Sequence, residues 1–389
     1  MRIAFYAPLK APDHPVASGD RTMARSFVQA LSHAGHVVAL ASRLRTFDAT
    51  GDPTRQVRLR HLGQKIAARF VVRASAGTAP DLWFTYHVHH KAPDHLGPLV
   101  SRMLGIPYVV AEASVAPRRR TGPWSEGYAD ALAAIRAADT VIAVNPHDVA
   151  EVRKARDAGA PCELLAPFLD VDAFAGAQAP AARATNPGEA RLVTVAMMRE
   201  GAKLASYRVL ATALAALRDR PWKLSIVGDG PARASVEESF APLAARVRFV
   251  GARQREEIAG LLAASDLFVW PAVDEAFGMA FLEAQACGLP VVGADTPGVA
   301  SVVNAGSTGL LCPMGDAPAF AAAMDTLIAD TALRERMGRA AVRHVRERHD
   351  LPAGAARLDA MLRAVVARRA GATPAAPRAR RHAPSRAPR

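Results

Sequence analysis

Apolar and polar positions follow two periods along the chain. Short apolar runs bounded by Gly, Pro or charged residues alternate with longer segments whose apolar residues recur every three or four places. In the first half this predicts strands at 3–7, 37–41, 57–62, 82–86, 108–111, 140–144 and 163–165, with helices at about 21–34, 125–138 and 147–156. The second half repeats the alternation more clearly. Strands fit 192–196, 223–227, 247–250, 267–270 and 291–293, and helices fit 206–218, 232–243, 255–264, 279–286, 317–329, 331–349 and 352–369. Strands alternating with helices imply parallel pairing with helices on both sheet faces. The expected fold class is therefore α/β, with two Rossmann-like doubly wound domains. Such sheets bind ligands at the carboxyl ends of their strands, which here would face each other across a cleft. A small-residue, Pro-bearing stretch divides the halves. The expected bounds are 1–175 for the first domain, 176–190 for the linker and 191–350 for the second domain. No repeat of solenoid length is present.

Composition narrows the class. The 389 residues are 50% hydrophobic with 27 Gly and 28 Pro, too long for one ordinary core and too apolar for a disordered chain. No uncharged apolar run reaches the roughly 18–20 residues of a membrane span, and the first residues lack the apolar core and cleavage site of a signal peptide. Cys162, Cys287 and Cys312 are too scattered for a disulfide framework or a zinc site. A soluble, cytoplasmic chain is expected.

Charge changes the picture at one end only. Eight Arg and no acid lie in residues 363–389, so they supply +8 of the formal +13. Residues 370–389 have no apolar periodicity and are expected to be a disordered basic tail. Such a tail is either a solvated end or a peripheral contact with anionic lipid at the inner face of a membrane. No nucleic acid is expected as partner, because the body adds neither interleaved aromatics nor a reading helix.

Candidate chemistry gathers in four places. The densest is Asp274-Glu275-Ala276-Phe277-Gly278-Met279-Ala280-Phe281-Leu282-Glu283, directly after a strand. A helix beginning near Gly278 would aim its free N–H groups into the cleft, and Gly278 would let an anion approach the backbone. Glu283 lies in an apolar setting where a carboxylate needs a partner, such as a pair of ribose hydroxyls. An N-cap acid followed by an ordinary helical Glu has the same spacing. Arg199 and Lys203 suit a diphosphate, one as a fork and one as a point charge, although a solvated charge cluster reads identically. Ser18-Gly19-Asp20-Arg21 opens a helix and either cradles a phosphate or simply caps it. Gly228-Asp229-Gly230-Pro231 lacks the third glycine of a dinucleotide fingerprint and reads as a strand-to-helix turn.

Two metal-like patterns are set aside. Asp170-Val171-Asp172 follows an apolar segment leaving the first domain. In His87-Val88-His89-His90 strand alternation puts at most His87 and His89 on one face. A cleft-facing His87 or His89 that bonds substrate fits better. No metal site and no cofactor is expected.

These motifs resemble a known family. Glu275 and Glu283 with Phe277-Gly278 between them, followed by Ala286-Cys287-Gly288-Leu289-Pro290-Val291-Val292, closely resemble the retaining glycosyltransferases of the GT-B fold, family 4. So do Ile226 to Pro231, Phe249-Val250-Gly251 and Gly309 to Pro313. The first half matches more loosely, through Ser18-Gly19, Leu31 to Val38 and Leu104 to Tyr108. The resemblance implies metal-independent transfer from a nucleotide-sugar held mainly by the second domain to a glycan or lipid-linked acceptor admitted by the first. It implies that Glu283 holds the ribose hydroxyls, that Arg199 and Lys203 grip the diphosphate, and that Glu275 with Phe277, Gly278 and Met279 meets sugar and phosphates. Gly19 and Gly228 would line the donor site. It also implies that the last helix, about 352–369, packs back on the first domain and that it and the linker form the hinge. Three positions depart from the pattern. Met197-Met198 replace the Gly before the arginine, Ser301 stands where a Glu is usual, and Glu112 or Ala113 stands where a histidine is usual. Candidates on the acceptor side are then His87, His89 and Glu112. A nucleotide-sugar epimerase of similar fold, or a binding protein without catalysis, remains open as an alternative.

Overall fold

The computed structural model describes residues 1–16, 18–77, 79–175, 188–275 and 278–372. In the first half the elements are β1 (Arg2–Tyr6), α1 (Gly19–His33), β2 (Val37–Ser42), α2 (Pro53–Ser75), β3 (Leu82–Val88), α3 (Gly97–Leu104), β4 (Tyr108–Ala113), α4 (Ser125–Ala137), β5 (Thr140–Ala143), α5 (Pro146–Ala155), β6 (Cys162–Leu164) and α6 (Asp172–Ala175). The next are β7 (Ala190–Val195), α7 (Ala202–Ala215), β8 (Trp222–Val227), α8 (Arg233–Phe240), β9 (Val247–Gly251), α9 (Arg255–Ala263), β10 (Leu267–Trp270) and α10 (Met279–Ala286). The chain continues through β11 (Val291–Ala294), α11 (Pro297–Ala300), β12 (Gly309–Cys312), α12 (Ala317–Ala329), α13 (Thr331–Arg348) and α14 (Leu351–Ala372).

Two six-stranded sheets result, in the orders β2-β1-β3-β4-β5-β6 and β12-β11-β10-β7-β8-β9. The strand pairs are parallel. Each sheet is buried on both faces, which explains why its strands read as near-continuous apolar runs. Phe5, Phe27 and Phe84 stack on the α1 side of the first sheet, whereas Tyr6, Trp83 and Val110 pack beneath α3 and α4 on the other.

One expected strand is a helix. Residues 57–62 alternate Val-Arg-Leu-Arg-His-Leu, which suits a strand, but they lie inside α2. The deciding signal is the Asp52-Pro53 start: Asp52 Oδ1 accepts from Thr54 N at 2.9 Å and Arg55 N at 3.3 Å, with Pro at the first helical turn. The alternation also placed no strand at β12, a run of only four residues, and no helix at α3.

The domain boundary also moves. Phe168 is buried in the core of the first sheet, whereas Leu169, Val171 and Phe174 are buried in the core of the second. The chain therefore crosses between Phe168 and Leu169, earlier than the expected bound at 175. It returns beside the same point: Leu169 N donates to His349 O at 2.9 Å, and Leu351 N donates to Leu169 O at 2.9 Å. His349 Nδ1 lies 2.7 Å from Pro167 O and secures the junction. Most of the expected linker, 176–187, lies outside the described residues.

Beyond the return, Leu351, Ala355, Leu358, Leu362 and Val365 complete the first core against α1. Their spacing of four and three makes one apolar stripe. His36 Nε2 lies 3.0 Å from Asp359 Oδ1, and Arg369 Nη1 pairs with Asp139 Oδ2 at 2.7 Å. Helix α14 extends to Ala372, so residues 370–372 are helical and not the start of the basic tail; 373–389 lie outside the described residues. Among the described residues no helix is long and apolar enough to cross a membrane.

Buried His95 and His349 have pKa values pushed down, chiefly by burial, to about 4. An unfolded histidine titrates near 6.5, so the unfolded chain takes up protons first as the medium is acidified. The stability these neutral rings confer is complete above about pH 6.5 and lost as pH falls toward 4. Thermal unfolding should show Tm falling over that window, and His349→Gln should flatten the slope.

Candidate active site

Connections leave β7 and β10 toward opposite faces of the second sheet, which opens a crevice at the carboxyl ends of these two neighbouring strands. Helix α7 starts at Ala202, four residues earlier than the apolar pattern indicates, and puts Lys203 in its first turn. Lys203 Nζ donates to Glu275 Oε2 at 2.5 Å, and Trp270 Nε1 lies 3.4 Å from the same oxygen. The ammonium also sits 5.5 Å from the centre of the Trp270 ring. Lys203, Glu275 and Trp270 thus form one unit that joins the two strands flanking the crevice. Arg199 is exposed on the loop before α7 and forms no ion pair among the described residues.

The loop carrying Glu275 is bent hard. Ala272 and Asp274 have φ of 53° and 50°, and Ser206 Oγ holds the loop by accepting from Val273 N at 3.0 Å. Gly278 then caps α10 at φ 64°, where an added Cβ would stand 2.8 Å from Val302 Cγ2. Glycine is required there by both backbone and space. No side chain caps this helix end among the described residues, so its positive pole faces the crevice. Phe277 lies outside the described residues. Met279, the first residue of α10, packs against the cores of both sheets. Glu283, one turn further, has its carboxyl pushed up to about 7 by burial, with Arg255 pulling the other way, and has no ion pair among the described residues.

Gly228 stands in the strand-to-helix turn between β8 and α8. Its φ is 144°, an added Cβ would stand 1.9 Å from Ala196 O, and its N–H donates to Gly251 O at 3.0 Å. The amide is committed to the β8–β9 junction. Gly228 lets the turn after β8 close over the loop after β7.

The first sheet has the matching switch between β1 and β3. Ser18 caps α1 by accepting from Arg21 N at 3.2 Å, and a Cβ on Gly19 would meet no heavy atom within 4 Å. Asp20, which the sequence suggested only as a cap, reaches across to β3: its Oδ1 lies 3.1 Å from His87 Nδ1. Glu112 Oε1 lies 3.5 Å from that nitrogen. His87 and Glu112 have φ of 63° and 58°, and they interrupt the β3–β4 register where Tyr86 pairs with Ala111 and Val88 with Ala113. Strand alternation therefore fails at His87. Its ring sits 4.7 Å from that of His89, centre to centre.

Burial opposes charge on His87, but Glu112, Asp20 and Asp148 outweigh it and its pKa is raised. Burial raises Glu112, partly offset by His87. Asp20 is held low despite its burial, through its bond to His87. His89 is pushed well below the usual range by burial and by its His87 and His90 neighbours. The structure therefore joins His87 and Glu112 into one network and leaves His89 outside it. Asp170 and Asp172 are occupied otherwise, by Gln29 at 3.1 Å and Arg346 at 3.7 Å. Among the described residues no three His, Cys, Asp or Glu side chains are grouped to hold a metal ion.

The two halves sense each other's charge. Lys10, after β1, has its pKa lowered by burial and by Arg45, Arg199 and Arg21, while Asp20 pulls it up. The charge of Arg199 in the second half thus reaches Lys10 in the first. All four non-glycine residues with positive φ among the described residues, His87, Glu112, Ala272 and Asp274, stand at this meeting of strand ends.

Residues 189–330 match the family model described as glycosyl transferases group 1. The chain is 31% identical over 300 residues to a D-inositol 3-phosphate glycosyltransferase of Kribbella flavida, covering 71% of this chain and 70% of that one. It belongs to the glycosyl transferases group 1. Sucrose-phosphate synthase of Thermosynechococcus elongatus superposes with a TM-score of 0.72 at 21% identity, over 94% of this chain and 99% of that one. HepE of Anabaena, in complex with UDP, gives 0.70 at 18%, over 94% and 100%. At such identities the likeness establishes the fold, GT-B, of this group 1 transferase. The transferase's matched segment contains Arg199, Lys203, Glu275 and Glu283, whereas the Asp20–His87–Glu112 network lies outside it.

Glu283 offers a test of the site's electrostatics in this transferase. A carboxyl raised to about 7 when folded and near 4.3 when unfolded stabilises the fold fully below pH 4 and loses that contribution as pH rises through 7. Glu283→Gln should raise Tm by a few degrees at pH 8 and leave it nearly unchanged at pH 4, as read by thermal unfolding.

Proposed function

We propose that this transferase moves a sugar, with retention at the anomeric carbon, from a nucleotide diphosphate sugar to an acceptor admitted from the first domain. The observation that carries the reading is the convergence of Lys203 and the unblocked N-terminus of α10 on one crevice, beside Glu275 and Glu283, with Arg199 on the loop that enters α7. Negative charge grows on the leaving diphosphate, and cations fixed in place before the reaction accelerate its departure. These groups fill the electrostatic role a divalent ion would otherwise take, so the reading needs no metal or other cofactor. A neighbour of the same fold is in complex with UDP, which supports a nucleoside diphosphate in the crevice.

Glu275 is tied by Lys203 and Trp270, which makes it a positioning carboxylate and not a free nucleophile. The bond from the anomeric carbon to the diphosphate breaks, and the acceptor oxygen bonds on the same face. Its proton passes to the departing phosphate oxygen. Glu283, its carboxyl pushed up to about 7 by burial, gains a partner when two ribose hydroxyls arrive. Gly19, with open space above it, leaves room for the phosphates, and His87 with Glu112 faces the acceptor.

Lys203→Ala should lower kcat/KM for the donor about 10²-fold, by analogy with the loss of one transition-state donor. An unchanged rate overturns the assignment. A panel of nucleotide-sugars separates the readings directly. Nucleotide release into product supports transfer, interconversion without release indicates an epimerase, and binding alone indicates a sensor.

Peripheral contact with anionic lipid rests on fewer charges than the composition suggests. Arg363 pairs with Asp359 and Arg369 with Asp139, so two of the eight arginines are already neutralised on α14. The chain should still sediment with anionic but not neutral vesicles at low salt, and truncation after Ala372 should abolish this. Equal sedimentation of the truncated chain removes the tail from the account.

A further inference from the structure

A second concentration of charge lies on the first sheet, beyond the Asp20–His87–Glu112 network. The connections after β3 and β4 bring Lys91 and Arg119 onto one indole. Lys91 Nζ lies 4.9 Å, and Arg119 Cζ 4.8 Å, from the centre of the Trp124 ring. His90 completes the group, its ring edge-on to Trp124 at 6.0 Å. A row of imidazoles links this group to the cleft, with His87 4.7 Å from His89 and His89 5.5 Å from His90.

Among the described residues no carboxylate pairs with Lys91, Arg118, Arg119 or Arg120. The acids of the adjoining elements are occupied elsewhere. Asp48 accepts from Gln56 and Thr50, Asp94 from Thr85 and Tyr108, and Glu126 and Asp130 both hold Arg60. Two buried polar atoms of the group, Arg119 Nε and His90 Nε2, have no hydrogen-bond partner. An unmet buried donor beside unpaired cations is costly unless an acceptor arrives. His90 is pushed down to about 4 by burial and by the charges of Arg119, Lys91 and Arg118. The indole holds both side chains in place before any ligand binds, which reduces the entropy an incoming anion must overcome.

We propose that Lys91 and Arg119, set against the Trp124 ring, with Arg118 next to them in the chain, form a subsite for a phosphate group carried by the acceptor. The inference rests on the transferase reading and adds the acceptor's chemical class to it. Guanidinium and ammonium groups suit a phosphate, the first as a fork and the second as a point charge. The imidazole row sets this subsite apart from the diphosphate crevice at Lys203, so the phosphate bound here is a different one from those of the donor.

Trp124 supplies its own reporter. The other three tryptophans, Trp83, Trp222 and Trp270, are fully buried. The full chain is titrated with glycerol 3-phosphate and, separately, with glycerol, following tryptophan emission. The expected result is a saturable change with glycerol 3-phosphate alone, absent in Trp124→Phe, weakened with salt and intact in Lys203→Ala. Arg119→Gln and Lys91→Gln should each weaken the half-saturation point at least tenfold while melting like the parent chain. If vesicles containing phosphatidylglycerol produce the change and glycerol 3-phosphate does not, the phosphate is that of a lipid headgroup. Neutral phosphatidylcholine vesicles serve as the comparison. No change with either probe, or a change that survives both Arg119→Gln and Lys91→Gln, overturns the subsite. A change lost in Lys203→Ala places the phosphate in the donor crevice and also overturns it, leaving the transferase reading intact. Failure of that reading is distinguishable, because an inert nucleotide-sugar panel leaves the Trp124 titration unaltered.

Discussion

Two open parallel sheets face each other only if the chain passing between them holds them there, and here it passes twice at one place. Phe168-Leu169 going out and His349 to Leu351 coming back are joined by backbone hydrogen bonds at 2.9 Å in both directions. Everything at the cleft depends on that pairing. The first sheet delivers Asp20, His87 and Glu112 at its strand ends, and the second delivers Lys203, Glu275 and Glu283. Neither set spans the cleft by itself. Met279 ties the arrangement further, because the residue that opens α10 is also packed against both cores.

Most of the α/β organisation was legible in the apolar pattern, since strands buried on both faces leave unbroken apolar runs such as Leu267–Trp270. The pattern failed where it was compatible with two structures. Val57 to Leu62 alternates as a strand does, and only the Asp52-Pro53 start separates it from the helix it forms. The boundary near 168 was hidden for another reason. Small, Pro-bearing sequence marks where the chain needs no packing, whereas the crossing itself is made of buried Phe168 and Leu169 and looks like core.

The site was legible in unequal parts. Glu275, Gly278 and Glu283 lie in one continuous stretch, and their spacing carries the geometry of a loop entering a helix. Lys203 was visible, yet its bond to Glu275 spans 72 positions and no local pattern encodes it. The Asp20–His87–Glu112 network was the least legible. Asp20 reads as a cap from its neighbours Ser18 and Gly19, and strand alternation gives no warning that His87 and Glu112 adopt left-handed backbone. Such strain persists only where the surroundings hold it, and here it turns two side chains of adjacent strands onto one point.

The return of α14 has a consequence for how the molecule is made. The apolar stripe from Leu351 to Val365 belongs to the core of the first sheet, so that core stays open on one face until the last part of the chain has been synthesised. At about 5–20 residues per second, the interval between Phe168 and Leu351 lasts roughly ten to forty seconds. The second sheet, whose core closes on its own residues, can complete itself during that wait. The half that begins first is therefore finished last, with the α1 side of its core open until α14 packs against it.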